Sequence, residues 1–356
     1  MGNLLFFDGY HARSIHSPKP PVIQIGAVGN ALGKPHTNRA MEVLHSQKLL
    51  EKEFEKDGIP IIWSFLVGTG PAINEELADE NIDFGHYGNI CGVVGKARGI
   101  RTRALAMGGR GLNIYIGVPP GDRTTRALGD LRGRRIGLLR ETYLHLMFEK
   151  LLSRLGLTED DFNIYNLGFA EGNVALMSGQ IDAYVDIYNG INLHDGRRIR
   201  TIFDSREEAD DFKGSAVLVG REAFIRRYPD ITKRLVKAYV RAAHWASLEE
   251  NRDEYLRMNS LTGISRPSLK FDYEGISLRW RNNPLLDDFF FRSYGETVDF
   301  SKRRGWIPEG FDVQKWADRS FLGDAVKDLG LEHFWVDQDG KTARHRPAAL
   351  AGRVGV

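Results

Sequence analysis

The chain has 356 residues, enough for about two domains of ordinary size. With 42% hydrophobic and 27% charged residues it has a globular composition, which excludes a disordered, collagenous or fibrous chain, and no run of about 18 apolar residues reads as a transmembrane helix. Lys+Arg 49 against Asp+Glu 47 give a net charge of +2, which offers no basic footprint for nucleic acid, and the single cysteine, Cys91, excludes an intramolecular disulfide or a cysteine zinc cluster.

Residues 1–20 read as a flexible arm closed by Pro18, Pro20 and Pro21. They do not read as a signal peptide, since the apolar stretch Leu4–Phe7 is short and no basic segment precedes it. An intracellular protein and a secreted one whose leader has been removed both fit. Short apolar runs then alternate with longer amphipathic stretches, the pattern of an α/β fold. Strands are expected at 22–28, 59–67 and 82–87, with helices at 37–56, from Pro71 to Leu77, and at 89–97. Two further strands, 102–107 and 112–118, flank the cluster Gly108-Gly109-Arg110-Gly111. Pro119-Pro120-Gly121-Asp122 punctuates the chain, and the pattern restarts. Strands follow at 135–139, 162–167, 181–185, 199–203 and 214–219, with helices at 142–155 and 171–178. From Arg221 the chain reads as helical, at 221–227, 230–250, 284–292 and 313–329, before a polar, Ala/Gly-rich tail.

An α/β unit inserted into another implies two crossovers and a cleft. In open α/β sheets ligands bind beyond the carboxyl ends of the strands, here the loops after Val28, Val67, Tyr87, Leu139 and Val185. Gly68-Thr69-Gly70-Pro71 is a strand-to-helix turn whose free N–H groups suit an anion. Arg140-Glu141-Thr142-Tyr143 repeats that geometry in the second unit, so two helix N-termini would face one cleft without a dedicated cation. Gly29 to Pro35 fails as a phosphate loop, because its first glycine is one residue too close and Pro35 stands where Ser or Thr would meet magnesium. Cys91, in the apolar stretch from Ile90 to Val94, reads as a buried hydrophobe, although His86 and Arg98 make a Cys/His pairing conceivable. His145 and Glu149 are four apart on one helix, but no third metal ligand is evident, so no metal is expected.

The strings Gly68–Leu77 (GTGPAINEEL), Ile82–Asn89 (IDFGHYGN), Gly108–Tyr115 (GGRGLNIY), Leu128–Gly137 (LGDLRGRRIG), Leu176–Ala183 (LMSGQIDA) and Phe311–Trp316 (FDVQKW) follow in order over about 300 residues, from 21 to 330. Together they resemble the solute-binding proteins of ABC importers for sulfonates, taurine and nitrate. That resemblance implies the two-lobed type II periplasmic-binding-protein fold, with two hinge strands and a helical C-terminal region. Lobe one would comprise 21–116 plus 217–332, lobe two 117–216, with 333–356 a tail. The ligand, a small organic anion such as an aliphatic sulfonate or a taurine-like zwitterion, would meet Asn30, Thr69, Gly70 and Asn89 from lobe one. Glu141, Thr142, Tyr143 and Asp186 would meet it from lobe two. Glu141 stands where the family has a small residue, often glycine. Its carboxylate would repel an anion and suit a zwitterion whose amine pairs with Glu141 or Asp186.

The resemblance further implies a periplasmic monomer that docks on an ABC permease, needs no cofactor and catalyses nothing. The alternatives are an enzyme on the same fold or a sensory module. Aromatic sulfinate desulfinases carry a cysteine in the loop after strand one, where this chain has Val28, Gly29 and Asn30. The pyrimidine-precursor enzymes of thiamine biosynthesis carry a Cys-rich motif and a His pair, both missing here.

Overall fold

The computed structural model describes residues 19–29, 35–67, 69–187, 199–209, 212–262 and 264–336. The chain runs β1 (Ile23–Val28), α1 (Arg39–Ser46), α2 (Leu49–Phe54), β2 (Ile61–Leu66), α3 (Thr69–Ala78), β3 (Phe84–Gly88), α4 (Asn89–Ala97) and β4 (Thr102–Leu112). It then crosses into β5 (Tyr115–Val118), β6 (Arg135–Leu138), α5 (Tyr143–Leu155), β7 (Asn163–Asn166), α6 (Phe169–Met177), β8 (Ala183–Asp186) and β9 (Arg200–Asp204). It returns through β10 (Gly214–Arg221) to α7 (Glu222–Arg227), α8 (Pro229–Ser247), α9 (Arg252–Asn259), α10 (Arg266–Asp272) and α11 (Leu278–Arg281). Last come α12 (Asp288–Arg303), α13 (Val313–Trp316) and α14 (Ser320–Asp328).

Two five-stranded sheets result, in the orders β2-β1-β3-β10-β4 and β7-β6-β8-β5-β9. In the first, β1 is parallel to β2 and β3, and β10 is antiparallel to β3 and β4. The second repeats the scheme, with β6 parallel to β7 and β8, and β5 antiparallel to β8 and β9. The central parallel strands read as apolar runs because helices cover both faces. β1, for instance, buries Ile23, Ile25 and Ala27. The two segments that join the units are tied together: Ile114 N–H donates to Ser205 Oγ at 2.8 Å, and Ser205 N–H to the Ile114 carbonyl at 3.1 Å.

The helix expected over 37–56 is two helices. Lys48 adopts a left-handed φ of 53°, and the turn it makes keeps Val43, Leu44, Leu50 and Phe54 all buried. The glycine cluster after Met107 does not divide two strands. β4 runs through it to Leu112, with register shifts opposite β10. Gly111, at φ 60°, lies against the Trp280 ring, where a Cβ would come within 2.4 Å of two ring carbons. The helix expected over 313–329 is interrupted between Trp316 and Ser320, and that over 284–292 begins at Asp288 and runs to Arg303. α8 presents Leu235, Val236, Ala238, Tyr239 and Ala242 to the core, and α1, α2 and α14 pack on it. Among the described residues no helix is long and apolar enough to cross a membrane.

Candidate functional site

The carboxyl-end loops of both sheets converge on one interunit cleft. From the first unit come Arg39 at the start of α1 and Thr69 at the start of α3; from the second comes Glu141, just before α5. All three hold left-handed backbones, with φ of 58°, 66° and 57°. Non-glycine residues in that region cost of order 1–3 kcal/mol each and persist where the surroundings enforce them.

Thr69 is buried, and its Oγ1 has no hydrogen-bond partner among the described residues. Gly70 follows directly against Cys91. The Cys91 thiol crosses the cleft, donating to the Glu141 carbonyl at 3.1 Å. Burial, with the Glu141 charge beside it, pushes the Cys91 pKa up to about 12. The sulfur therefore stays protonated at neutral pH, the opposite of an activated nucleophile. Nor does His86 act as its base. That ring is buried, its pKa is pushed down to about 3 by burial and by the Arg39 charge, and its Nε2 faces the Gly108 carbonyl at 3.3 Å.

On the second unit Thr142 occupies the N-cap position of α5 with extended backbone, yet makes no capping bond there. Its Oγ1 donates instead to the Leu139 carbonyl at 2.7 Å, which leaves first-turn amides of α5 without a side-chain acceptor. Tyr143 packs over the backbone of Gly88 and Gly214 of the first unit. Asp186 is buried; it accepts from the Ile187 N–H at 2.7 Å and from Asn173 Nδ2 at 3.3 Å. The structure thus brings Thr69, Gly70, Glu141, Thr142 and Tyr143 together around Cys91. Asn89 is turned aside: its Nδ2 donates to Thr297 Oγ1 of α12 at 3.2 Å. Asn30 lies outside the described residues.

Beside this cluster, next to the crossover, lies a small cavity of about 10 Å³ between Arg39, Asn113, Tyr143, Ile187, Asp272 and Arg281. That is room for about one water. Sequence reasoning passed over Arg39, Asp272 and Arg281. Their polar side chains sit in ordinary helical contexts, and only the tertiary fold gathers them.

A second contact holds the units together on the far side of α5. The carboxylates of Glu149 and Glu159 meet His145, whose Nε2 donates to Glu159 Oε1 at 3.0 Å. Glu159 is the third group of metal-binding type that spacing did not reveal, and one such atom from each of the three lies within 4.8 Å of the others. Both carboxylates already face guanidiniums: Arg140 Nη2 donates to Glu159 Oε2 at 2.7 Å, and Arg304 of the first unit contacts Glu149 Oε2. Burial works to raise the Glu159 pKa, but His145 and Arg140 outweigh it and hold the carboxyl below its usual range. Trp306 of the first unit stacks on His145 at 4.7 Å. The group is an ion-pair latch between the units. Arg304→Ala leaves the buried Glu149 carboxylate without its cross-unit partner and is expected to disfavour the closed arrangement by about 1–3 kcal/mol. Solution scattering checks it: the variant without ligand should be larger than wild type, and an unchanged radius would discard the latch.

The NMT1/THI5-like family matches residues 54–250, more than half of the chain. A Bacillus subtilis (strain 168) protein whose name assigns it to aliphatic sulfonate binding is 25% identical over 283 residues, covering 78% of this chain and 82% of that protein. A solved Methylobacillus flagellatus KT structure is named as the periplasmic sulfonate-binding protein SsuA of a sulfonate ABC transporter. It superposes with a TM-score of 0.77 at 29% identity, covering 91% of this chain and 98% of that one. The alkanesulfonate-binding SsuA of Xanthomonas axonopodis pv. citri, bound to MOPS, has a TM-score of 0.68 at 19% identity over 85% of this chain and 99% of its own, and shares the fold. The fold is thus that of the periplasmic binding proteins, as the resemblance implied.

Proposed function

This chain belongs to the NMT1/THI5-like family, and from that premise we propose that it is the substrate-binding component of an ABC importer for a small organic sulfonate. The observation that carries this reading is the cleft itself: two units joined by two crossing segments, with a buried Thr69 hydroxyl that has no partner among the described residues on one wall and the uncapped start of α5 on the other. Helix N-termini and hydroxyls without internal partners suit an oxyanion. The lobes are taken as 21–116 with 217–332 and 117–216, which follows the division into two sheets apart from a few residues at each crossing. The ligand would enter between them, with Thr69 and Gly70 on one side and Glu141, Thr142, Tyr143 and Asp186 on the other. Closure by hinge motion would then present the pair of lobes to a membrane permease. Under this reading the protein works as a periplasmic monomer, takes no cofactor and changes no bond in its ligand. The protonated Cys91 and the neutral, differently engaged His86 support that last point.

A thermal-shift panel of alkanesulfonates, taurine, aromatic sulfonates, nitrate and sulfate tests the ligand class. A ligand at about 100 times its Kd stabilises by about 2.7 kcal/mol, a shift of a few degrees at this size. A shift with alkanesulfonates is expected; taurine joins them if Glu141 or Asp186 receives an amine. A shift with nitrate or sulfate alone would replace the organic sulfonate. Within the site, Thr69→Ala removes the buried hydroxyl that has no hydrogen-bond partner among the described residues and should weaken sulfonate binding by about 1–3 kcal/mol, while Cys91→Ala leaves it intact. Calorimetric titration decides, and equal affinity in Thr69→Ala would remove that hydroxyl from the site.

A further inference from the structure

Arg39 is held in place by three separate features of the first unit, yet its charge has no carboxylate partner among the described residues. Its backbone is left-handed, at φ 58°. Its N–H donates to Asn259 Oδ1 at 2.7 Å, and Asn259 is itself anchored by donating Nδ2 to the Tyr255 carbonyl at 2.8 Å. Its stem lies on Gly109, where a Cβ would come within 2.8 Å of Arg39 Cδ. The guanidinium that this arrangement delivers to the interunit cavity donates from Nη1 to Asn38 Oδ1 at 2.5 Å, and pairs with no carboxylate among the described residues.

The surroundings leave that charge uncompensated. Asp272, the carboxylate of the cavity wall, accepts from Asn113 Nδ2 and Tyr115 Oη, each at 2.8 Å, and from Arg281 Nη2 at 2.6 Å. Asp186 of the second unit accepts from the Ile187 N–H and Asn173 Nδ2, and it is not among the residues that line the cavity. The His86 ring behind Arg39 is neutral. Two guanidiniums against one carboxylate leave the cavity wall with an excess positive charge. It also holds an Arg281 Nε and an Asn113 Oδ1, both buried and without hydrogen-bond partners among the described residues. Arg39 is half-buried at the cavity, and a planar guanidinium fork matches the oxygens of an oxyanion.

We propose that Arg39 receives the anionic group of the ligand, beside the crossover, so that the headgroup is held by a dedicated cation rather than by helix N-termini alone. For the headgroup to be a sulfonate rests on the function proposed above; the charge complementarity at Arg39 does not.

The test is calorimetric titration of the full chain with 1-butanesulfonate, butyl phosphate and butanoate, on wild type, Arg39→Gln, Arg39→Lys and Arg39→Gly, with melting temperatures alongside. Arg39→Gln and Arg39→Gly should lose about 100-fold or more in affinity for the anion that wild type binds, and Arg39→Lys about 10-fold, because a lysine keeps the charge and loses the fork. Arg39→Gly should melt no lower than wild type, since glycine adopts φ 58° freely and the Asn259 bond is to the backbone. Affinity within about threefold of wild type in Arg39→Gln and Arg39→Gly overturns the proposal, as does a lowered melting temperature with unchanged affinity, the mark of a merely structural arginine. Wild type that ignores butanesulfonate but binds butyl phosphate or butanoate through Arg39 overturns the sulfonate reading and supports this one. Wild type that binds none of the three overturns both.

Discussion

Asp272→Ala is expected to cost about 3–5 kcal/mol of folding stability, the usual result of stripping one partner from a buried ion pair. Asp272 is 3% exposed and ties three parts of the molecule together: Asn113 in the crossover, Tyr115 at the start of β5, and Arg281 in α11. Arg281 is equally buried, with its guanidinium 4.7 Å from the Tyr273 ring and its Nη1 on the Gly111 carbonyl. Burial alone would favour its neutral form; Asp272 and the neighbouring tyrosine hydroxyls outweigh that and hold its pKa above the ordinary value. With Asp272 gone, the charge cannot leave and has nothing to answer it. Asp272→Asn keeps an acceptor for Asn113 and Tyr115 and should fall between. The double variant Asp272→Leu/Arg281→Met removes both charges and should recover much of the loss, because replacing a whole buried pair is far cheaper than breaking one. Urea denaturation of wild type, Asp272→Leu, Arg281→Met and the double variant gives the cycle. A loss below about 1 kcal/mol for Asp272→Ala would mean that water reaches Arg281.

Gly70→Ala is the second large effect. A Cβ at position 70 would stand 2.0 Å from Cys91 Sγ and 2.5 Å from Cys91 Cβ. Overpacking of this kind typically costs 1–3 kcal/mol, and more where nothing can yield. Here the obstructing atoms are the root of a short side chain in α4, so rotating the thiol away does not clear the space. The substitution should cost about 3 kcal/mol and displace the thiol from the Glu141 carbonyl, loosening the contact between the units. Cys91→Ala does not rescue it, because a Cβ remains; Cys91→Gly does, in part, less about 1 kcal/mol for a glycine inside a helix. A Gly70→Ala protein that melts like wild type would show that α3 can move away from α4 freely.

The strands were legible because their pattern is local. Ile23–Val28 and Phe84–Gly88 are apolar runs bounded by turn residues, and the structure places them within about two residues of expectation. The C-terminal region was less legible. Arg252–Asn259, Arg266–Asp272 and Leu278–Arg281 are short and largely polar, so their periodicity is weak, and tertiary packing makes them helices. The glycines at 108, 109 and 111 read as a turn because glycine usually punctuates. Here they clear space for His86, Arg39 and Trp280, side chains from remote parts of the chain. The cleft loops were visible from the order of elements, and Thr69, Glu141, Thr142 and Tyr143 do meet there. Arg39 was not visible, because lacking a carboxylate partner is a property of three-dimensional neighbours.

The central claim is that the two units close on an organic sulfonate. Small-angle scattering with and without 1-butanesulfonate, at a concentration that calorimetry shows to be saturating, measures this directly. The account predicts a smaller radius of gyration with ligand, and an Arg304→Ala protein that starts larger and closes to the same value. A scattering curve unchanged at saturation, or no saturation by any organic sulfonate, would contradict it.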